Sequence, residues 1–249
     1  MAFFNRRRIA VIAGAAAVLI AQEARAQSPA FEAASIRRNR SGEGNTHIDI
    51  VGGRLTITNA SLKTLIRNAY DLLSFQLAGE PHWIDTEMYD IVATTGRAAK
   101  IQPEEFRLLL QNLLADRFQL RVHWETREAA VYALVPEKGG PKLQESTTPQ
   151  EPGINTSKGP GRARMRGTSE PIAILTKNLG NQLGRIVLDK TGLRGVYDWT
   201  LEWDPDPGAD ATRPSLFTAL QEELGLRLEA QRGPMEVLVI DHAEHASEN

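Results

Sequence analysis

Two stretches of the chain show the same order of hydrophobic and polar positions. In residues 214–241, leucines recur at helical spacing, a glycine follows, and apolar and polar residues then alternate with the two-residue period of a β-strand. Gly233 and Pro234 predict a tight turn, and residues 235–240 predict a return strand. Residues 106–135 repeat this order. Both stretches therefore predict a helix followed by two antiparallel strands.

An earlier helix precedes each of these stretches, and the repetition extends to it. The apolar spacing predicts these helices within residues 62–73 and 172–183, and each leads to a strand that begins with Tyr-Asp, at Tyr89 and Tyr197. Equivalent points lie roughly 110 residues apart, which is typical of a duplicated unit. We therefore predict an α+β fold with two similar β-α-β-β-α-β-β units in tandem, built of mostly antiparallel strands packed with helices.

Polar segments bound the two units. Residues 137–161 contain several glycines and prolines and almost no apolar residues, which predicts a surface linker. The first unit then covers residues 27–136, and the second covers residues 162–241. Residues 242–249 form a predicted polar tail. The pattern leaves open whether the units are separate domains or share one sheet.

The first 26 residues have the pattern of a signal peptide. Three arginines at positions 6–8 precede an apolar run at residues 9–21, which is too short to span a bilayer comfortably as a helix. Ala24, Arg25 and Ala26 match a small-x-small cleavage site. We expect cleavage after Ala26 and a mature protein that is periplasmic or secreted. The arginines leave both the general secretory route and the twin-arginine route open.

Composition excludes several classes of function. The chain has no cysteine, so disulfide bonds and thiol catalysis are excluded. Four of the 29 basic residues and one of the 31 acidic residues lie in the signal segment, so the mature chain carries a net charge of about −5. That charge argues against a nucleic-acid partner. No later apolar run is long enough for a membrane span, so we expect none after signal removal.

No stretch of the chain matches a nucleophile elbow, a zinc-binding helix, a phosphate-binding loop or a dinucleotide-binding motif. We therefore predict no catalytic, cofactor-binding or metal-binding residue and no cofactor. Asp90 and Asp198 occupy equivalent places in the two units, and paired carboxylates can perform acid–base chemistry. Their distance in sequence favours a structural role, such as capping a turn.

Two places are candidates for contact with a partner. Residues 235–240 form the last predicted strand, and an edge strand presents unpaired N–H and C=O groups to which a partner strand can add. The alternative is that this strand is central and the edge lies elsewhere. The second place is the loop before Tyr89. The candidate interaction residues are His82, Trp83, Val237, Val239, Asp241 and His242.

Several blocks of sequence follow one another in the order seen in a known family. The blocks are residues 31–36, 52–55, 83–85, 89–91, 115–120 with His123 and Glu125, 131–134, 140–143, 189–198, 214–221 and 239–242. In these blocks the chain resembles a large family of uncharacterised exported proteins that is abundant in acidobacterial genomes. Some relatives are fused to a membrane metallopeptidase of the beta-lactam-sensor type. Because that family has no established reaction, the resemblance implies no catalytic residue.

The order of elements in each unit is also similar to the short periplasmic domain of secretins and TonB-dependent receptors, which binds partners. This similarity, together with the missing catalytic motifs, favours a non-enzymatic binding or interaction module of the cell envelope. The expected partner is an envelope protein or peptide that binds by strand addition. The alternatives are a carboxylate-dependent hydrolase and a structural envelope protein.

Overall fold

The computed structural model describes residues 29–41, 44–147, 151–206 and 213–246. The predicted signal peptide and its cleavage site lie outside these ranges. The described chain forms three four-stranded, mostly antiparallel sheets and a small number of helices. This architecture confirms the predicted α+β fold class. No helix in the described ranges combines the length and the apolar character that crossing a membrane requires.

The first sheet and its helices come from the first half of the chain. The sheet is antiparallel, with the order β1-β5-β3-β2. Its strands alternate between buried and exposed residues, as Leu55 and Ile57 show in β3, so one face packs on the helices. The elements are β1 (Ala33–Asn39), β2 (His47–Val51), β3 (Arg54–Ser61), α1 (Leu62–Tyr70), α2 (Trp83–Thr86), β5 (Met88–Thr94) and α3 (Pro103–Arg117).

The last sheet in the chain has the order β7-β11-β9-β8 and packs its inner face on α4 and α5. Its elements are β7 (Gln144–Glu145), β8 (Gly153–Gly159), β9 (Arg162–Pro171), α4 (Ile172–Leu183), β11 (Val196–Trp203) and α5 (Leu216–Ala219), which continues as a π-helical turn, Leu220–Leu224. The prediction of a linker at 137–161 is wrong, because this range contributes β7 and β8. All seven residues of β8 are exposed, and an exposed strand has the polar composition of a linker.

A third sheet joins the two halves. It has the order β10-β6-β12-β4 and consists of β4 (Leu77–Ala78), β6 (Arg121–Pro136), β10 (Val187–Asp189) and β12 (Leu226–His242). The two long strands, β6 and β12, pair antiparallel over nearly their whole length. The predicted turn at Gly233 and Pro234 is therefore wrong, and the two strands predicted after the helix in residues 106–135 are one continuous strand, β6.

Pro234 is tolerated within β12 because of the direction in which its nitrogen points. The N–H of Leu238 donates to the carbonyl of Gln76 at 2.8 Å, so it points away from β6. Backbone groups alternate in direction along an antiparallel strand, so the nitrogen of Pro234 also faces away from β6. Proline at this position removes no hydrogen bond from the β6–β12 ladder.

The halves share the central sheet and exchange core residues. β4 from the first half pairs with β12, and β10 from the second half pairs with β6. Leu238 and Ile240 of β12 belong to the first hydrophobic core, whereas Leu134 of β6 belongs to the second. The halves are therefore joined through one sheet and do not form separate domains.

Two aspartates, Asp90 in β5 and Asp198 in β11, have the same structural use. Asp90 accepts the backbone N–H of Asn59 at 2.9 Å, and Asp198 accepts that of Ser169 at 2.7 Å. Asn59 and Ser169 both have positive φ, 53° and 49°, which is uncommon for residues other than glycine. Each carboxylate thus holds a left-handed residue just before a helix, which is a structural use.

Candidate functional site

The strand predicted to be an open edge lies inside the central sheet. Leu238 and Val239 pair with β6 on one side and with Leu77 and Ala78 of β4 on the other. Val237 is only 2% exposed. Strand addition at residues 238–239 is therefore excluded, and the prediction of an edge there is wrong. The two-residue strand β4 covers it, and this pairing joins residues about 160 positions apart.

His82 and Trp83 lie at the start of α2, and only Trp83 takes part in a cluster. His82 is exposed, and its side chain makes no capping hydrogen bond. The indole of Trp83 stacks on the imidazole of His245, with ring centroids 4.1 Å apart. His245 Nδ1 lies 2.9 Å from Glu87 Oε2, so His245 is held against the first half.

Glu87 is the centre of this contact. Its side chain is 12% exposed, and it receives hydrogen bonds from Tyr89 at 2.9 Å and from Arg38 at 2.6 Å in addition to His245. The N–H of Glu244 donates to the carbonyl of Phe118 at 2.7 Å. The predicted tail, as far as residue 246, therefore packs on the first core and is not solvated along its length.

Acid is expected to release this contact. Burial alone would raise the pKa of Glu87, but hydrogen bonds from His245 and Tyr89 and the charges of His245 and Arg38 lower it. A lowered pKa means that the contact stabilises the fold above the ordinary glutamate value, about 4.3, and is lost as pH falls through the folded value. Carboxyl NMR should find Glu87 titrating at lower pH in the native chain than in H245A. A Glu87 midpoint unchanged by H245A would contradict this.

Asp241 pairs within the chain. Its Oδ1 lies 2.8 Å from His123 Nδ1, and the other ring nitrogen lies 3.3 Å from Glu125 Oε1. The hydrogen bonds with Asp241 and Glu125 raise the pKa of His123. His242 Nε2 lies 2.9 Å from Glu244 Oε1. In the described part of the chain, no group of three or more histidine, aspartate or glutamate side chains is arranged so that it could hold a metal ion. The structure thus places the predicted site residues in separate clusters and forms no common site from them.

Among the described residues, the longest fully exposed strand is β8, which the sequence did not identify as a strand. It pairs only with β9 and is the outermost strand of its sheet. One hydrogen bond in the neighbouring part of the sheet shows which backbone groups of β8 face its open edge. The N–H of Glu202 in β11 donates to the Glu223 carboxylate at 3.1 Å, so it points away from β9. Glu202 pairs with Arg164, whose backbone groups therefore face β8.

The direction of each backbone group in β8 follows. Ser157 is paired with Arg164, so the two exchange hydrogen bonds, and the ladder between β8 and β9 has no register shift. Because the pattern alternates, Ile154, Thr156 and Lys158 direct their N–H and C=O groups away from β9. No strand of the described chain lies on that side. Three consecutive outward positions thus form an open edge.

The other outer strands are shorter or blocked. β1 has the same length, but it carries Arg37 and Arg38, and Arg117 donates to its Ala34 carbonyl at 3.2 Å. β2 has five residues and carries Asp49. Proteins commonly block sheet edges with charges, prolines, bulges or short strands. β8 has none of these between Gly153 and Gly159 except Lys158, so its edge is the one best suited to pairing.

In the described ranges, these features define an α+β protein with three sheets and one long open edge strand. The family described as "Protein of unknown function (DUF3738)" matches residues 63–243, and the chain belongs to this family. No curated protein and no solved structure matches the chain.

Proposed function

We propose that this protein is a non-enzymatic binding module that takes an extended polypeptide segment of an envelope partner as an added strand on β8. The observation that carries the proposal is the open edge of β8, where seven exposed residues face solvent and three outward positions are unpaired. Main-chain hydrogen bonds supply affinity in this mode of recognition, and alternate side chains supply specificity.

The side chains beside this edge favour an apolar partner residue. Ile154, Thr156 and Lys158 pair with Gly167, Met165 and Ala163 of β9 and share their face of the sheet. Met165 and Ala163 belong to the second core, and Ile154 is 39% exposed. A partner strand would place every second side chain beside Ile154 and Thr156. Apolar residues at those positions would bury Ile154 further.

Export to the periplasm or the medium belongs to this proposal. It is supported by the signal-like pattern of residues 1–26. The resemblance to exported acidobacterial proteins, some fused to a sensor-type metallopeptidase, supports an envelope partner. So does the similarity to the short domain of secretins and TonB-dependent receptors, which binds partners.

The hydrolase alternative has less support than binding, because the two carboxylates that line one cavity together already have structural uses. Asp198 and Glu223 line one cavity, where a pair of carboxylates could act together. Each already accepts a backbone N–H, from Ser169 and Glu202 respectively. Both therefore have structural uses, and binding remains the function that the geometry supports best.

The substitution T156P tests the proposal. Proline at 156 removes an outward N–H and leaves the hydrogen bonds between β8 and β9 in place, because those come from positions 155 and 157. Peptides selected from a random display library on the mature protein should bind T156P at least about tenfold more weakly, since one lost main-chain bond and a steric block weaken pairing.

The matched control is T156V, which keeps the N–H and the strand propensity. It should bind the selected peptides as the native chain does, and circular dichroism should show both variants folded. Equal binding to T156P and T156V would contradict strand addition at β8. A library that yields no binder to the native protein would also contradict it.

A further inference from the structure

The last sheet has a gap where the first sheet has a strand. β1 pairs with seven residues of β5, whereas the equivalent strand β7 pairs only with Tyr197 and Asp198 of β11. The chain leaves the edge at residues 142–143, where the N–H of Lys142 donates to the carbonyl of Leu224 at 2.8 Å. From Trp199 onward, β11 has no strand neighbour on that side within the described residues.

The side chain of Glu223 occupies part of the gap, and the rest is an open cavity. Glu223 accepts the outward N–H of Glu202 at 3.1 Å, in place of a strand. Two residues earlier, Thr200 directs its N–H and C=O to the same open side. A cavity of about 290 Å³ opens there, bounded by Gln144, Thr200 and Glu223. This volume is near the lower end of the range for ligand sites, ~300–1,000 Å³.

Donors without a partner among the described residues lie around the cavity, together with the carboxylates of Asp198 and Glu223, each of which already accepts a backbone N–H. Arg166 lines it and makes no ion pair with any described residue, whereas Lys142 already donates to the carbonyl of Glu222 at 2.7 Å. The buried indole Nε1 of Trp199 has no hydrogen-bond partner in the described chain. It lies against Gly167, which also lines the cavity. Because that nitrogen is shut off from solvent, the exposed guanidinium of Arg166 is the charged donor that a ligand can reach, and it favours an anionic acceptor.

We propose that this cavity binds a short extended peptide that carries a carboxylate. The peptide backbone pairs with Thr200 of β11 and extends the edge that β7 begins. It would then cover β11 as the longer strand β1 covers β5. The carboxylate meets the guanidinium of Arg166 on the outer face of the sheet. This site lies on the opposite edge of the sheet from β8 and does not rest on strand addition there.

Three synthetic peptides test the proposal on the full mature chain by ¹⁵N NMR. They are N-acetyl-Val-Glu-Val-amide, N-acetyl-Val-Gln-Val-amide and N-acetyl-Val-Gln-Val with a free C-terminus. The first and third distinguish a side-chain carboxylate from a terminal one. At least one of them should shift the Thr200 amide and the Trp199 indole signals, and it should bind at least about tenfold more tightly than the neutral peptide, as expected for a charge-assisted contact.

The variant R166Q should remove the preference for the carboxylate. R164Q is the matched control, because Arg164 lies two residues away on β9 and already pairs with Glu202 at 3.4 Å. R164Q and T156P should leave the binding of these peptides unchanged. Because T156P blocks only the β8 edge, the experiment distinguishes a failure of this proposal from a failure of strand addition at β8. Binding that is insensitive to R166Q, binding that leaves the Thr200 and Trp199 signals unchanged, or no binding at millimolar peptide would each overturn the proposal.

Discussion

Residues 29–147 expressed alone are expected to be unfolded, as are residues 151–246 alone, and mixing the two fragments is expected to restore the folded state. The reason is that each half lacks part of its own core. The first core contains Leu238 and Ile240 of β12, which are at most 6% exposed, and β6 loses β12, with which it pairs over nearly its whole length. The second core loses Leu134 of β6.

The burial free energy that each half loses is large compared with the stability of a typical domain, so we expect each half to unfold. Burying a leucine or isoleucine side chain is worth about 1.5–3 kcal/mol, and a typical domain is stable by only about 5–15 kcal/mol. Removing Leu238, Ile240 and the hydrogen bonds of β12 therefore takes away much of the stability of the first half. Circular dichroism and NMR of the separate and mixed fragments measure the effect.

The control is the full chain with a protease site inserted at 148–150. Cleavage of the folded protein should leave the two pieces associated, because their contacts are already formed. A cooperative unfolding transition in the isolated 29–147 fragment would show that the first half is an independent domain. That result would contradict the shared sheet.

Replacing Gly167 by alanine is expected to destabilise the protein by about 2–3 kcal/mol, because the new methyl group overpacks the core. A Cβ at this position would lie 2.4 Å from Cε2 of Trp199 and 2.6 Å from its Nε1. Trp199 is 5% exposed, so its indole cannot move into solvent without losing a large buried area. Chemical denaturation measures the change.

Two further variants separate the steric cause from other causes. Gly159 lies in the same hairpin with no atom within 4 Å of its added Cβ, so G159A should leave stability nearly unchanged. In G167A/W199L the indole is absent, so the two substitutions should cost less together than the sum of each alone. Additive costs would contradict the contact between the methyl group and the indole.

The sequence predicted the fold class and most of the elements, because the apolar spacing of helices and the alternation of strands are local signals. It predicted helices at 62–73 and 172–183, and these agree with α1 and α4. It did not predict that β12 continues through Pro234, because the direction of a backbone nitrogen within a sheet depends on the neighbouring strands. The linker prediction at 137–161 was wrong for a related reason, since the polar residues of β8 have the composition of a loop.

The candidate site could be predicted only in part. An open strand edge was expected, but β4, about 160 residues earlier in the chain, covers β12 at Leu238. Contacts over such distances leave no local pattern. The gap beside Thr200 is equally nonlocal, because it depends on where the chain leaves β7. The structural use of Asp90 and Asp198 was predictable, since each is the second residue of the same Tyr-Asp motif.

Hydrogen exchange of the β8 amides, measured by NMR with and without a selected peptide, tests strand addition most directly. Ile154, Thr156 and Lys158 direct their N–H groups to the open edge, whereas Asn155 and Ser157 donate to β9. We expect a bound peptide to slow exchange at 154, 156 and 158 by about tenfold or more, with little change at 155 and 157. Peptide binding that leaves the three outward amides exchanging at their free rates would contradict the proposed function.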